Sequence, residues 1–374
     1  MAVRKTYDVA IVGAGVFGAC IAHELARAGR RVVLLDQHGP GNARASSGGE
    51  TRIIRMCYGA DEIYTRASMR SLPRWKAFGV FQRTGVLFTA PRGDSYLNAA
   101  RDTLTRVRCK FEFFDDEGLA RRFPELKLDR GTAGVFEPES GVLMARRGVQ
   151  TVVDAAVKLG ARYESWRASA PRRSGAIETS GGTIQAGTVV YACGPWLPSL
   201  FPEVLGKRIR PSRQQVFFFG TPPGDARFAP PHMPAWIAFR EGAYCVPAID
   251  SRGFKFAIDT HGPPFDPEDG ERQITRAKLT HAQQILAKRF PALAGAPLLE
   301  SRVCQYENTS NGDFLIDRHP EFDNVWLVGG GSGHGFKHGP FVGEYAAAML
   351  AGTGRAEPRF SLATKGTRRK RAVY

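Results

Sequence analysis

A glycine-rich loop near the C-terminus, GGGSGHGFKHG, carries the residue types best suited to chemistry. It contains Lys337 between two histidines, His334 and His338. The apolar run at 325–328 before the loop predicts a strand, and the run at 341–350 after it predicts a helix. Glycine lets a backbone approach a ligand closely, and a helix N-terminus offers free N–H groups and a partial positive charge. The loop is therefore predicted to bind an anion close to a lysine.

A second glycine motif, GAGVFG, lies near the N-terminus. A predicted buried strand at 7–12 runs into Gly13, Gly15 and Gly18, and a helix and a second strand ending in Asp36 follow. Such glycines permit a tight turn, approach to a pyrophosphate and close helix packing, while the acid reaches ribose hydroxyls. The motif predicts a dinucleotide site, and Asp36 favours FAD or NAD over NADP. The alternative is a glycine turn in an unrelated α/β protein.

The elements between these motifs predict a discontinuous cofactor domain. Helical patterns cover 61–74, 147–159 and 272–290, and strand patterns cover 85–90, 188–195, 215–219, 235–239, 243–246 and 254–258. Proline-rich loops break up residues 213–297, which is typical of an antiparallel sheet. We predict a cofactor domain at 1–84, 143–212 and 300–364, a substrate domain at 85–142 and 213–299, and a basic tail at 365–374.

The segment TRIIR places Arg52 and Arg55 three residues apart. A helix or turn with this spacing would present both side chains on one side.

The length and charge of the chain bound its class. At 374 residues, two domains with ample core are expected. The formal net charge of +16 would attract nucleic acid or anionic surfaces. No helix-turn-helix, RNA-binding or zinc-finger pattern accompanies this charge. We interpret it as a solvated surface with a basic tail, and expect no nucleic-acid partner.

Cysteine usage and hydropathy indicate a compartment. The six cysteines are scattered, without CxxC pairs or zinc-ligand spacing. The first apolar run is accounted for as the nucleotide strand, so no signal peptide is expected, and no run reaches the roughly 18 residues of a membrane span. We expect a cytoplasmic protein with reduced thiols, no metal site and no membrane partner.

Taken in order, the motifs resemble those of the sarcosine oxidase family of FAD-dependent amine oxidases, within the D-amino acid oxidase-like superfamily. The matching segments are GAGVFG at 13–18, SSGGETRIIR at 46–55, YACGPW at 191–196, GFKF at 253–256, CQY at 304–306, FLIDRHP at 314–320 and GSGHGFKHGP at 331–340. The resemblance covers essentially the whole chain apart from the tail. It implies an α/β and α+β fold, with a Rossmann-like FAD-binding domain and an inserted antiparallel-sheet substrate domain.

The resemblance also implies an activity. Members oxidise a secondary or N-methylated amine, usually an amino acid, by moving hydride from the carbon next to nitrogen to the flavin. The resulting imine is hydrolysed, and dioxygen is reduced to hydrogen peroxide. The expected partners are a small amine and O2, and the expected state is a monomer.

Several roles follow from the resemblance residue by residue. Cys304 matches the cysteine that holds FAD through a thioether at the 8α carbon, with a buried free cysteine as the alternative. Arg55 and Lys337 match the pair that binds the substrate carboxylate, for which a bidentate guanidinium is well suited. Lys255 matches the lysine that promotes reaction with oxygen, and Arg52 matches an arginine against the flavin ring.

The remaining expected site residues form the pocket and the cofactor contacts. Tyr244 and Tyr306 match pocket tyrosines, with ordinary core packing as the alternative. The expected cofactor contacts are Gly13, Gly15, Val16, Phe17, Gly18, Asp36, Ser46, Ser47, Thr51, Arg52, Ala192, Gly194, Trp196, Cys304, Gly331, Gly333, His334, Gly335, Phe336 and Lys337. The loop at 331–337 is expected to offer N–H groups and a helix N-terminus to the flavin pyrimidine.

Two positions depart from the family pattern. Asp259, followed by His261, stands where sarcosine oxidases have a histidine, and Gly48 also replaces a histidine. A carboxylate in the pocket would repel a small anionic amino acid and could bind a second cationic group. The hypothesis is therefore a larger secondary amine or N-substituted amino acid. The alternatives are a glycine, D-amino acid or pipecolate-type oxidase, and an amine dehydrogenase using another electron acceptor.

Overall fold

The computed structural model describes residues 6–171 and 176–368, so the predicted basic tail lies outside the described residues from 369 onwards. The strands of the described residues are β1 (Thr6–Val12), β2 (Val32–Leu35), β3 (Thr51–Ile54), β4 (Phe81–Gln82), β5 (Val86–Pro91), β6 (Glu112–Phe114), β7 (Thr132–Glu137), β8 (Gly141–Met144), β9 (Arg162–Glu164), β10 (Ala176–Thr179), β11 (Gly182–Tyr191), β12 (Ile209–Phe219), β13 (Ala235–Ala238), β14 (Ala243–Val246), β15 (Phe254–Ile258), β16 (Leu298–Thr309), β17 (Leu315–Arg318) and β18 (Val325–Gly329). The helices are α1 (Val16–Arg27), α2 (Glu62–Ala77), α3 (Ser95–Arg106), α4 (Asp116–Arg122), α5 (Ala145–Lys158), α6 (Leu197–Leu200), α7 (Pro202–Leu205), α8 (Arg276–Arg289) and α9 (Gly339–Leu350).

A seven-stranded sheet carries both glycine motifs. Its order is β17-β18-β11-β1-β2-β9, with β10 beside β11. The strands from β18 to β9 are parallel, and β2 is buried at every residue, as expected for a parallel sheet covered on both faces. Ligands of open α/β sheets bind outside the carboxyl ends of such strands. The two glycine motifs follow β1 and β18 at this edge.

Helices α1 and α9 cover the same face of this sheet and approach each other through glycine. A Cβ atom built on Gly343 would lie 2.7 Å from the carbonyl oxygen of Cys20, and one on Gly339 would lie 2.6 Å from Cγ2 of Val16. Only glycine permits this contact between the starts of the two helices. The loops that precede α1 and α9 are therefore neighbours, although more than 300 residues separate them.

An eight-stranded sheet forms the second layer, in the order β16-β12-β15-β14-β13-β5-β7-β6. Adjacent strands of this sheet are antiparallel, except that β13 and β5 are parallel to each other. A separate phenylalanine-rich core, which includes Phe217, Phe254 and Phe290, packs beneath it. The predicted combination of a Rossmann-like layer and an inserted, mainly antiparallel sheet is confirmed.

Strands β12 and β16 are longer than the sequence pattern indicated. They pair from Ile209 opposite Thr309 to Phe219 opposite Leu298. Strand β12 crosses the predicted domain limit at 212/213, and β16 crosses the one at 299/300. The domain limits themselves stay a prediction. Polar residues such as Ser212 and Gln214 are buried in β12, so the apolar alternation that marks a strand is interrupted. Cys304, which falls in the predicted cofactor segment 300–364, lies in this second sheet.

The TRIIR segment begins as a strand and not as a helix or turn. Residues Thr51–Ile54 form β3, which pairs antiparallel with β8, placing Arg52 opposite Leu143. Threonine and isoleucine favour an extended backbone, and the apolar β8 provides the partner. Arg52 therefore lies within β3, and Arg55 directly follows the strand.

Two glycines of the first motif differ in how closely the protein packs around them. Gly18 is tightly packed, whereas Gly15 has room for a Cβ atom. A Cβ atom on Gly18 would lie 1.8 Å from the carbonyl oxygen of Gly13, whereas on Gly15 the nearest atom is Oγ of Ser47 at 3.6 Å. Gly18→Ala is expected to lower the free energy of unfolding of the ligand-free protein by about 2 kcal/mol or more. Gly15→Ala should change it by less than about 1 kcal/mol. Urea denaturation measures both, and equal losses would contradict the packing argument.

Candidate active site

Two adjoining cavities lie between the layers. The first cavity opens at the carboxyl ends of β1, β2 and β11, and most of the residues expected to contact a cofactor line it. These are Gly13, Gly15, Val16, Phe17, Asp36, Ser46, Ser47, Arg52, Ala192, Gly194, Trp196, Gly331, Gly333, Gly335 and Phe336. Of the others, Cys304, His334 and Lys337 line the second cavity, while Gly18 and Thr51 line neither.

Hydrogen bonds hold the strand–loop–helix unit at one end of the first cavity. Asp36 accepts from the backbone N–H of Ala14 at 2.8 Å and of His38 at 2.8 Å, and burial raises the pKa of its carboxyl. The hydroxyl of Ser47 accepts from the N–H of Val16 at 3.1 Å. Gly13, at φ +105°, lies so close to Ala192 that a Cβ atom would meet its carbonyl oxygen at 2.5 Å. A long ligand can therefore lie against bare backbone here.

The opposite end of the first cavity is formed by Arg52 and its neighbours. Its guanidinium donates to the carbonyl oxygens of Thr51 at 2.8 Å and Ser46 at 2.6 Å, and lies 3.6 Å from Sγ of Cys304. The same group lies 6.0 Å from the centre of the Phe336 ring. Arg52 and Phe336 line both cavities, so the two spaces meet at this point.

The second cavity contains all seven residues expected to act in catalysis: Arg52, Arg55, Tyr244, Lys255, Asp259, Tyr306 and Lys337. Its inner wall is cationic. The guanidinium carbon of Arg55 lies 4.2 Å from the centre of the Tyr58 ring, and Nζ of Lys337 lies 5.3 Å from the same point. Tyr58 thus brings Arg55, which directly follows β3, together with a lysine from the other end of the chain.

Lys337 is buried and held by two acceptors. Its Nζ donates to the hydroxyl of Tyr58 at 2.8 Å and to the carbonyl oxygen of His334 at 3.0 Å. Burial lowers the pKa of Lys337 well below its usual value, and the positive charge of Arg55 lowers it further. An anion in the second cavity would relieve both effects, since it would favour the charged lysine.

Lys255 enters the second cavity from β15. It is also buried, and its Nζ donates to the carbonyl oxygen of Thr51 at 3.0 Å. Burial lowers the pKa of Lys255 to about 7, and the nearby positive charge of Arg52 adds to the effect. Thr51 thus contributes through its carbonyl group, which accepts from both Lys255 and Arg52.

A carboxylate lies at the exposed side of the second cavity. The hydroxyl of Tyr306 donates to Oδ1 of Asp259 at 2.6 Å. Burial raises the pKa of Tyr306 well above its usual value, and Asp259 raises it further. Asp259 is exposed at the end of β15, and His261 lies beside it in the cavity lining. The second cavity therefore has a negative group at its mouth and positive groups inside.

Several N–H groups of the glycine loop that were expected to be free for a ligand are hydrogen-bonded within the protein. The N–H of Gly331 donates to Oε1 of Glu307 at 3.1 Å, and the N–H groups of Ser332, His334 and Gly335 donate to backbone carbonyls. Helix α9 begins only at Gly339, after a 3-10 turn at Phe336–His338. Two of these four N–H groups donate to Glu307 of β16 and two donate to the carbonyl oxygen of Gly331 within the loop, a geometry that the glycine pattern does not specify.

Sequence reasoning missed two buried residues, Tyr58 and Glu307. Tyr58 joins Lys337 to His338, whose Nε2 lies 2.8 Å from the tyrosine hydroxyl. Glu307 lines the first cavity and holds the glycine loop through Gly331. The only signal for Glu307 was its place three residues after Cys304.

Within residues 6–171 and 176–368, no three His, Cys, Asp or Glu side chains are grouped so that they could hold a metal ion. In the same ranges, no helix is both long and apolar enough to cross a membrane.

Comparison with known proteins assigns the class. The family FAD dependent oxidoreductase matches residues 8–349, so the chain belongs to this family. It is 29% identical over 373 residues to the monomeric sarcosine oxidase of Bacillus sp. (strain NS-129), covering 95% of each chain. It is 27% identical over 357 residues to the N-methyl-L-tryptophan oxidase of Escherichia coli O9:H4 (strain HS), covering 91% of this chain and 94% of that one.

The fold is similar to that of L-proline dehydrogenase from P. horikoshii, with a TM-score of 0.84 and 21% identity, over 96% of this chain and 98% of that one. The predicted family is thus confirmed, as is an FAD-dependent amine oxidase of the sarcosine oxidase-like type acting on CH–NH bonds.

Lys255 should destabilise the fold in a pH-dependent way. Its pKa is lowered from 10.5 to about 7, so between these values the unfolded chain binds a proton that the folded chain lacks. The free energy of unfolding contributed by this group therefore rises with pH from about 7 to about 10. The destabilisation caused by burying the lysine is greatest below pH 7. Lys255→Met is expected to raise the free energy of unfolding of the FAD-free protein by about 2 kcal/mol at pH 6 and much less at pH 10.

Urea denaturation at the two pH values measures this effect. Lys158→Met, at an exposed position of α5, is the matched control and should show no comparable gain at pH 6. A loss of stability at both pH values in Lys255→Met would contradict the proposed penalty.

Proposed function

We propose that this protein is an FAD-dependent oxidase of a secondary or N-substituted amino acid. The amine loses two electrons and two protons to become an imine, water hydrolyses the imine to an oxo compound and an amine, and O2 takes up the electrons and protons as H2O2. The observation that carries the proposal is the pairing of two buried cations, Arg55 and Lys337, in a cavity that adjoins the cofactor cavity.

The first cavity fits FAD. Bare glycine backbone follows β1, Asp36 lies where an adenosine ribose would end, and Arg52 and Phe336 lie where the second cavity begins. A buried carboxyl oxygen of Glu307 in the cavity lining has no hydrogen-bond partner within the described residues, as expected of a polar wall built for a ligand. FAD, when bound, supplies the acceptor for the hydride. Cys304 is proposed as its covalent attachment point, since its Sγ lies beside Arg52 where the cavities meet.

Arg55 and Lys337 are proposed to bind the substrate carboxylate. A buried anion site needs cations that are held in place, and Tyr58 holds both. The same positive charges lower the pKa of a substrate amine nearby, which favours the neutral nitrogen whose lone pair hydride loss requires. Tyr244 and Tyr306 complete the aromatic wall of the cavity.

Lys255 is proposed to promote the reaction with oxygen. Its buried cation would stabilise the negative charge that develops on O2. Because its pKa is about 7, the charged fraction falls as the pH rises above this value. An amine dehydrogenase that uses another acceptor has no need of this lysine, and the yield of peroxide distinguishes the two activities.

Asp259 is proposed to select a larger substrate with a second cationic group. The carboxylate lies at the mouth, held by Tyr306, while the carboxylate-binding cations lie inside. A substrate that spans the cavity would match both charges, whereas sarcosine is too small to do so.

We further propose that the protein is a monomer, as the name of the Bacillus relative states for that protein. The cytoplasmic location stays a prediction from cysteine usage. The domain limits and the absence of a nucleic-acid partner stay predictions from sequence.

Acid precipitation of the purified yellow protein tests the covalent bond. If the flavin is attached through Cys304, colour should remain in the pellet of the wild-type protein and move to the supernatant in Cys304→Ser. Cys245→Ser, at a buried cysteine outside both cavities, is the control and should keep its colour in the pellet. Release of colour from the wild-type protein would remove the thioether from the proposal.

A peroxide-coupled panel of amines tests the substrate proposal. N-substituted amino acids with a second cationic group should show a higher kcat/KM than sarcosine. Asp259→Asn, which keeps the shape of the side chain, should lower kcat/KM for these substrates by roughly three- to tenfold and change sarcosine little. Asp102→Asn, at an exposed carboxyl outside both cavities, is the matched control. Sarcosine as the best substrate of the panel would overturn the proposed selectivity, and amine oxidation without peroxide would favour the dehydrogenase.

A further inference from the structure

Glu307 is a buried acid that neither the family pattern nor the proposed reaction uses. It lies in β16, lines the first cavity and is 8% exposed. Its Oε1 accepts from the N–H of Gly331 at 3.1 Å, but its Oε2 makes no hydrogen bond within the described residues. A buried polar atom without a partner is costly, and it indicates a partner that the protein chain does not supply.

The free oxygen of Glu307 faces the gap between the carboxyl ends of β11 and β18. It lies 3.3 Å from a Cβ atom built on Gly329 and 3.4 Å from one built on Gly194. The titratable group that faces it from the end of β11 is the thiol of Cys193, and the loop after β18 presents N–H groups. Burial raises the pKa of Glu307 to about 7, against the opposing effect of those N–H groups.

The position of Glu307 in the first cavity indicates which part of FAD it meets. Asp36 marks the adenosine end, and Arg52 beside Cys304 marks the flavin end. Between these ends FAD has a diphosphate and a ribityl chain. The diphosphate repels the carboxyl group of Glu307 once it ionises, whereas a ribityl hydroxyl is uncharged and forms a hydrogen bond with the protonated carboxyl. The ribityl chain is therefore the matching partner.

We propose that Glu307 is a cofactor-binding residue whose Oε2, in the protonated form, donates a hydrogen bond to a ribityl hydroxyl of FAD. The inference rests on the proposed placement of the flavin end beside Cys304. The first cavity would then offer the ribityl chain a polar side-chain contact.

The experiment compares FAD with ADP, which lacks the ribityl chain and the flavin. In a Cys304→Ser background, so that FAD can exchange, dissociation constants are measured by calorimetry for Glu307→Ala and Glu307→Gln. Glu307→Ala should weaken FAD binding by about tenfold and leave ADP binding unchanged. Glu307→Gln keeps a donor at the position of Oε2 and should stay within about threefold of the parent for both ligands.

Unchanged FAD affinity in Glu307→Ala would overturn the proposal. Equal losses for FAD and ADP would overturn it as well, because they would show a collapsed cavity. The attachment of flavin to Cys304 is read separately by acid precipitation, so failure of that proposal is distinguishable.

The pH dependence supplies a second readout. The parent is compared with Glu307→Gln, because both proteins share the other titratable or charged groups of the first cavity. These groups include Asp36, His38, Arg52 and Tyr306. The affinity of the parent for FAD should fall relative to that of Glu307→Gln as the pH rises from 6 to 8, because the ionised carboxyl loses its donor. A relative rise over this range would overturn the donor role.

Discussion

The close approach of two glycine loops at one edge of the parallel sheet is the constraint on which the rest of the structure depends. A Cβ atom built on Gly335 would lie 2.9 Å from Phe17, one on Gly339 2.6 Å from Val16, and one on Gly343 2.7 Å from Cys20, all closer than a side chain allows. These contacts bring the first and last motifs of the chain together and leave a cavity lined with bare backbone. A dinucleotide can therefore lie along the strand ends without displacing side chains.

The second constraint is electrostatic. Arg55, Lys337 and Lys255 are buried in or beside one cavity, where burial disfavours the charged lysine. Within the described residues, the lysines are held by carbonyl oxygens, the Tyr58 hydroxyl and aromatic faces, and no carboxylate forms an ion pair with either of them. An anionic substrate and an anionic reduced product of oxygen would both be stabilised there. Stability and chemistry thus place opposite demands on the same side chains.

Strand β16 connects the two cavities. Cys304 lines the second cavity, Gln305 and Glu307 line the first, and Tyr306 lines both. Successive residues of a strand face opposite sides, so one strand supplies the proposed flavin attachment, a pocket tyrosine and the proposed ribityl contact. Because β16 belongs to the eight-stranded sheet, the cofactor cavity is completed by the layer that carries the substrate residues.

The sequence by itself determined the parts that depend on short segments. Strand, glycine loop, helix and acid follow one another within residues 6–36, and the ordered motifs identified the family, because both signals are local. Only the tertiary structure decided the extended form of TRIIR, the full length of β12 and β16, the contact of Tyr58 with both Arg55 and Lys337, and the position of Glu307 in the lining of the first cavity. Each of these depends on contacts between distant residues, and a polar residue in a sequence does not reveal whether a distant strand will bury it.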